Sequence, residues 1–319
     1  MVSSLSVNWK TMKIVKKMID EQDSLGLSVE NVAGATVIDA GVDTRGGYAA
    51  GKHIVEVSMG GLGSASVAVA SFGNLNLPAT TVETDSPSVA LFGAQYAGWR
   101  INVEKYFAMG SGPARALALK PKEMYTRIGY RDEADTATIV LESGAKPTKE
   151  AVEYIAGECG VSPEKLYIIV VSTSSVAGST QISGRVVETG FHKLVEEGMD
   201  PQAVLSAIGY APIAPVHPKP IGAMGRTNDM ILYGGVVLFN VSYGNDAELK
   251  RIVEATPSSN SKSYGRLFAE VFKDAGRDFY KIDVSLFAPA VVAANNVKSG
   301  KIFNAGKINV DVLKQSLET

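Results

Sequence analysis

The chain has a single cysteine, Cys159, among 319 residues. One thiol builds no disulfide framework and no cysteine-based zinc site, and it suits a reducing compartment. Histidine is almost as scarce, at positions 53, 192 and 217. These three are far apart and no carboxylate-rich frame joins them, so no metal centre is expected. Neither charge is in excess: 31 Lys and Arg stand against 33 Asp and Glu, a formal net of −2. That leaves no basic face to grip nucleic acid or an anionic membrane. No apolar run approaches the roughly 20 residues of a membrane span, and the first residues lack a basic-then-apolar pattern, so a cytoplasmic protein is expected. The G-x-S-x-G elbow, the H-E-x-x-H pair and the Walker lysine loop are missing as well. No repeat of about 20–50 residues recurs, which excludes a solenoid.

What is abundant is glycine, with 32 residues mostly in short clusters between apolar runs. Such clusters predict tight turns and backbone close to a ligand. Ser6 to Leu25 reads as an amphipathic helix, with Ile14, Val15, Met18 and Ile19 in one stripe. The short β-branched runs 35–39, 53–57 and 80–83, separated by glycines, predict an antiparallel, hairpin-rich sheet on that helix. Pro87 to Ala97 and Ala114 to Leu119 read as helices, with apolar Tyr106 to Gly110 between them. From about Arg127 strands and helices alternate. Strands are expected at 136–141 and 166–172, and helices at 148–159, 180–197, 200–208 and 246–255. A hairpin is expected over 231–241, around Gly234 and Gly235. Thr256 to Ser263 reads as a linker or mobile loop, then Tyr264 to Ala275 as a helix and Tyr280 to Phe287 as a strand. The expectation is an α/β protein of mixed α+β type with two domains. Residues 1–126 plus 256–319 would form a discontinuous domain, and 127–255 the other.

Three segments carry chemistry. In Gln181-Ile-Ser-Gly-Arg-Val-Val-Glu-Thr-Gly190, Arg185 and Glu188 are three apart, so on a helix they share a face. A guanidinium and a carboxylate together can hold a water and tune its deprotonation. An ordinary helix-surface salt bridge is the plain alternative. His192, four residues past Glu188, reads better as a partner near the helix C-terminus than as a proton shuttle. In Met109-Gly-Ser-Gly-Pro-Ala-Arg115, the glycines, Pro113 and Arg115 suit either an anion site at a helix start, through Ser111, Gly112 and Arg115, or a plain strand-to-helix turn. The spacing is not that of a dinucleotide-binding loop, because Arg115 stands where a third glycine would. Ala94-Gln-Tyr-Ala-Gly-Trp99 offers an amide and two aromatics that could line a pocket for a flat heterocycle, although aromatics more often fill cores.

Taken together these segments resemble the methenyltetrahydromethanopterin cyclohydrolases of methanogenic and related archaea and of methylotrophic bacteria. The likeness also runs through Ala35 to Val42, Gly60 to Leu62, Glu133 to Asp135, Ala211 to Pro215, Ala223 to Asp229, Tyr233 to Gly235, Asp278 to Asp283 and Leu286 to Ala290. It spans nearly the whole chain. The runs Y-F-A-x-G-S-G-P-A-R-A and Q-I-S-x-R-x-x-E-T are its most specific parts. Two departures are Ala40, where the family carries Cys, and Tyr96, where some members carry Lys. The Tyr96 change bears on how a pterin is held.

The resemblance implies reversible addition of water to the methenyl carbon, opening the ring to the formyl derivative and releasing a proton. It implies Glu188 as the general base, and Arg185 as the group that places the water and keeps the carboxylate ionised. Gln95, Tyr96, Ala97 and Ser183 would contact the substrate. It further implies an interdomain pocket, a homotrimer, and no metal or redox cofactor, tetrahydromethanopterin being the substrate's own carrier. A pterin carrier without catalysis and a cyclohydrolase acting on a folate stand as alternatives; the first would not need Glu188.

Overall fold

The computed structural model describes residues 5–319. The Ser6 hydroxyl accepts the Trp9 N–H and so caps α1 (Val7–Asp20), which leads to α2 (Gln22–Leu25), β1 (Ser28–Val32), β2 (Ala35–Asp39) and α3 (Tyr48–Ser58). Then come β3 (Gly63–Phe72), β4 (Leu75–Thr84), a wide-turned helix at Ser88–Gln95, β5 (Trp99–Val103), β6 (Tyr106–Ser111), α4 (Ala114–Ala118) and α5 (Lys122–Ile128). The middle of the chain forms β7 (Ala137–Glu142), α6 (Lys149–Cys159), β8 (Leu166–Val171), α7 (Val176–Ser183), α8 (Val186–Glu196), β9 (Val204–Pro212), α9 (Pro220–Gly234) and β10 (Val236–Val241). α10 (Asp246–Ala255), α11 (Phe268–Asp274), β11 (Val291–Asn296), β12 (Lys301–Gly306) and α12 (Val310–Glu318) complete it. The class is mixed α+β, as expected.

The chain divides into two compact units. The first holds the described residues through Ser64 together with Ser88–Gln181, and the second holds Ala65–Pro87 and Ile182–Thr319. The first unit is built on a six-stranded sheet in the order β1-β2-β8-β7-β6-β5. Its centre is parallel, with Thr36 opposite Tyr167 and Ile139 opposite Ile168, and its flanks are antiparallel. Helices cover both faces of that centre. Val15, Met18 and Ile54 of α1 and α3 pack on Ile38, Val140 and Ile169, while Val152 and Ile155 of α6 pack on Ile139 and Ile168. Burial on both faces is why β7 and β8 read as unbroken apolar runs.

The second unit has a six-stranded sheet in the order β12-β11-β10-β9-β4-β3. β10 and β11 are parallel, whereas β9 runs antiparallel to both β10 and β4. α8 brings Phe191 to 6.5 Å from Phe239. A separate core joins Met230 and Tyr233 of α9, Phe268 and Phe272 of α11 and Leu313 of α12 to Phe72 and Leu77.

Several local expectations change. Residues 53–57 lie in helix α3, because Ala50, His53, Ile54 and Val57 are buried at helical spacing and Gly47 precedes the helix rather than turning a hairpin. Residues 200–208 are no helix: the Asp200 carboxylate accepts the Gln202 N–H, a short turn spans Pro201–Ala203, and β9 follows. There the pairing partners on both sides override local helix propensity. The 231–241 segment is the end of α9 followed by the whole of β10, and the Gly235 N–H closes α9 on the Ile231 carbonyl. The 256–263 segment is no free linker. Thr256 and Ser258 are buried, the Ser258 hydroxyl donates to the Leu232 carbonyl, and the Ser261 hydroxyl donates to Asp283. Asp283 also takes the Ser285 N–H, so 280–287 folds as two short turns, Phe279–Lys281 and Val284–Leu286, instead of a strand.

The domain boundaries are corrected too. The expected 127–255 domain is divided after Gln181, because β7 and β8 pair in the sheet of β2 and β6. The expected partner block is divided likewise, with 256–319 in the unit that holds β9 and β10.

Asp229 ties the second core together, accepting the Phe268 N–H at 2.8 Å and the Ser316 hydroxyl at 2.7 Å. Burial pushes its carboxyl up to about 7 against the pull of these two hydrogen bonds. The folded protein therefore holds this proton where the unfolded chain has lost it, between pH of about 4 and 7, and stability from this group falls as pH rises through that window. Asp229→Asn is expected to shrink the difference in unfolding free energy between pH 5 and pH 8, read by urea titration. An undiminished difference would assign the slope to other groups.

Candidate active site

The sequence expectation of one helix from Thr180 to Glu197 is corrected at its most important point. α7 ends at Ser183 and α8 begins at Val186, so Gly184 and Arg185 form the joint. Arg185 stands at the N-cap with φ −88° and ψ 0°, its N–H donating to the Ile182 carbonyl at 2.9 Å. Its own carbonyl accepts both the Thr189 N–H at 2.8 Å and the Thr189 hydroxyl at 2.9 Å. Sequence reasoning did not single out Thr189 as this clamp, although the i to i+4 spacing is a signal for it.

Glu188 lies in the first turn of α8, the helix end that favours negative charge. Arg185 Nη2 is 2.9 Å from Glu188 Oε2, and the two side chains are only 13% and 8% exposed. A surface salt bridge would leave both in water, so that alternative does not describe this pair. His192 lies beside Glu196, one turn further along, Nδ1 to Oε1 3.7 Å.

The start of α8 is held by close approach to its sheet. A Cβ on Gly209 of β9 would meet the Val236 carbonyl oxygen at 2.7 Å and the Val187 side chain at 3.0 Å. A Cβ on Gly190 would meet Val237 at 2.9 Å. Ser183 is buried, and its hydroxyl donates to the Ala211 carbonyl of β9 at 2.7 Å. The hydroxyl expected to touch substrate thus spends its proton on anchoring the joint.

The other expected residues lie in the first unit. Gln95 ends the Ser88–Gln95 helix and is fully buried, Tyr96 is partly exposed, and Ala97 follows before β5. Ser111, Gly112 and Arg115, expected as either an anion site or a plain strand-to-helix turn, lead from β6 into α4. Arg115 is wholly buried and faces inward: its Nη1 donates to the carbonyls of Phe92 at 3.1 Å and Ala94 at 3.0 Å, and its Nε donates to Lys120 O at 2.8 Å. The Gly112 N–H also goes to the Ala94 carbonyl, at 2.8 Å. Donors spent on backbone carbonyls are not offered to an anion.

Asp39 is a buried carboxylate that sequence reasoning passed over. It takes the N–H groups of Gly41, Val42 and Asp43 at 2.8–2.9 Å and faces the Thr44 hydroxyl. Burial works against its charge, but these hydrogen bonds outweigh it and hold the carboxyl below its usual range. The run Asp-x-Gly at the end of a strand was the available signal. Among the described residues no group of three or more His, Cys, Asp or Glu could hold a metal ion, and no helix is long and apolar enough to cross a membrane.

The chain belongs to the cyclohydrolase family, whose model, described as cyclohydrolase (MCH), matches residues 6–317. The relatives are more specific. The chain is 46% identical over 317 residues to a protein of Methanocaldococcus jannaschii named methenyltetrahydromethanopterin cyclohydrolase, covering 98% of each chain. It is 47% identical to the protein of that name in Methanococcoides burtonii, again over 98% of each. With the one in Methanothermobacter marburgensis the identity is 46%, over 98% of this chain and 99% of the relative.

Gly209→Ala tests the seating of α8. The added methyl has a backbone oxygen in its way, so a loss of about 1–3 kcal/mol in unfolding free energy is expected. An unchanged midpoint in denaturant would show that the helix gives way without cost.

Proposed function

We propose that this chain is a hydrolase of one-carbon metabolism that reversibly converts methenyltetrahydromethanopterin and water into formyltetrahydromethanopterin and a proton. The observation that carries the reading is the enclosed Arg185–Glu188 pair at the start of α8, in a chain that matches proteins named for this activity over nearly its whole length. The methenyl carbon belongs to a cation and is already electrophilic, so the task left to the protein is to place and deprotonate water. Glu188 takes one proton as the water oxygen bonds to that carbon. The ring C–N bond then breaks, the hydroxyl proton passes to the departing nitrogen, and Glu188 releases its proton to solvent. Arg185 holds the carboxylate in place and orients the water; its planar fork can do both at once. General-base help of this kind supplies about 10²–10⁴ in rate.

Gln95, Tyr96 and Ala97 are assigned to substrate contact by the family likeness, and Ser183 to holding the joint that carries Arg185. Tetrahydromethanopterin enters as the substrate's carrier, and no step of the proposal needs a metal or a redox cofactor. By the same likeness the working form is a homotrimer in the cytoplasm. Light scattering is expected to give three chain masses, and a monomer at micromolar concentration would remove that part of the proposal.

The chemistry is tested by following loss of the near-ultraviolet absorbance of the methenyl compound, with protein dialysed against a chelator. Wild type is expected to turn over. Glu188→Gln is expected to lose at least about 10²-fold in kcat with little change in KM, because the amide keeps the shape but accepts no proton. Arg185→Lys is expected to be damaging as well. Retention of half the turnover by Glu188→Gln would place the base elsewhere.

A further inference from the structure

The Ser88–Gln95 helix has wide turns: the Tyr96 N–H reaches back five residues to the Leu91 carbonyl, at 2.8 Å. Turns of this kind are uncommon and recur at functional sites. The three carbonyls just ahead of Gln95 are all taken up by groups from later in the chain. Those of Phe92 and Ala94 accept Arg115 Nη1, and the one between them, Gly93, accepts the Tyr125 hydroxyl at 2.9 Å. Burial pushes the Tyr125 hydroxyl up to about 12, so it stays a donor at any working pH. The Arg115 guanidinium also lies 5.4 Å from the centre of the Tyr96 ring and 5.6 Å from that of Tyr125. Gly98 leaves room for this placement, since a Cβ there would meet the Tyr96 ring at 2.6 Å. One buried cation thus grips both the backbone leading into Gln95 and the side chain that follows it.

We infer that Arg115 and Tyr125 are positioning residues for substrate binding, acting through the carbonyls of Phe92, Gly93 and Ala94 on the Gln95–Ala97 segment. The inference rests on the proposed function, in which that segment contacts the pterin. It gives the G-S-G-P-A-R run a task on the protein's own backbone and predicts a distinctive kinetic signature. Loosening the clamp should weaken substrate binding and spare the chemical step, the reverse of Glu188→Gln.

The test is steady-state kinetics on the full-length protein with methenyltetrahydromethanopterin. Tyr125→Phe removes one hydrogen bond and is expected to raise KM about fivefold. Arg115→Lys removes the fork and the ring contact and is expected to raise KM at least about tenfold. In both, kcat is expected to stay within about threefold of wild type. Leu25→Ala, in the separate core under α1, serves as a control destabilised by an unrelated cavity. If Arg115→Lys does not fold, Tyr125→Phe carries the test. An unchanged KM in Tyr125→Phe, or an equal rise in KM in Leu25→Ala at the same loss of melting temperature, would overturn the inference. Absence of turnover in wild type would instead reject the proposed function, and the inference with it.

Discussion

The structure around Arg185 and Glu188 depends on how near α8 lies to its sheet. Hydrogen on Gly209 and Gly190 in place of a methyl lets the first turns settle against β9 and β10. The Ser183 hydroxyl and the Thr189 clamp then fix the joint from either side. An exposed pair three residues apart on a helix contributes about 0.2–0.5 kcal/mol. Removing one partner of an enclosed pair leaves a charge without its counterpart, at a cost of several times that figure. Packing, not the ion pair itself, therefore sets the geometry, and the pair inherits it.

The first unit treats buried charge of either sign in complementary ways. Arg115 is a cation whose donors meet backbone carbonyls, and Asp39 is an anion whose oxygens meet backbone N–H groups. In each case the backbone needed the partner: wide helical turns leave carbonyls to be satisfied, and a sharp loop after β2 leaves N–H groups in the same position. A buried ionic side chain is thus a completion of irregular main chain, which is how a segment such as Ser88–Gln95 persists without regular helical bonding.

What could be read from the sequence was what local chemistry dictates. Thr148 and Gly160 bound α6 as expected, because a cap hydroxyl on the Ala151 N–H and a left-handed glycine act within a few residues. β7 and β8 were legible as strands, although not that helices would cover both of their faces. The spacing of Arg185 and Glu188 pointed to a shared face, and the roles given to them came from the family resemblance. Residues 53–57 and 200–208 were misread because both segments carry β-branched or apolar residues compatible with either structure, and distant partners decide. The surroundings of Arg115 stayed hidden for a related reason. Nothing in Gly110 to Arg115 reveals that two carbonyls about twenty residues earlier, those of Phe92 and Ala94, will need donors. The unit boundaries escaped because they follow strand pairing, and Ala79 finds its partner at Pro212.

That last pairing bears on how the chain is made. The β3–β4 segment belongs to a sheet whose next strand, β9, is synthesised far later, after all of the first unit. During synthesis from the N-terminus the hairpin must wait, with Phe72 and Leu77 lacking their eventual neighbours Met230 and Phe268. The first unit can close its own sheet once β8 has emerged, so it is complete while this insertion is still unburied. Non-local strand pairing of this sort is slow, and an unpaired edge is open to wrong partners. The second unit is thereby the later one to complete, its β3–β4 segment waiting on the strand β9.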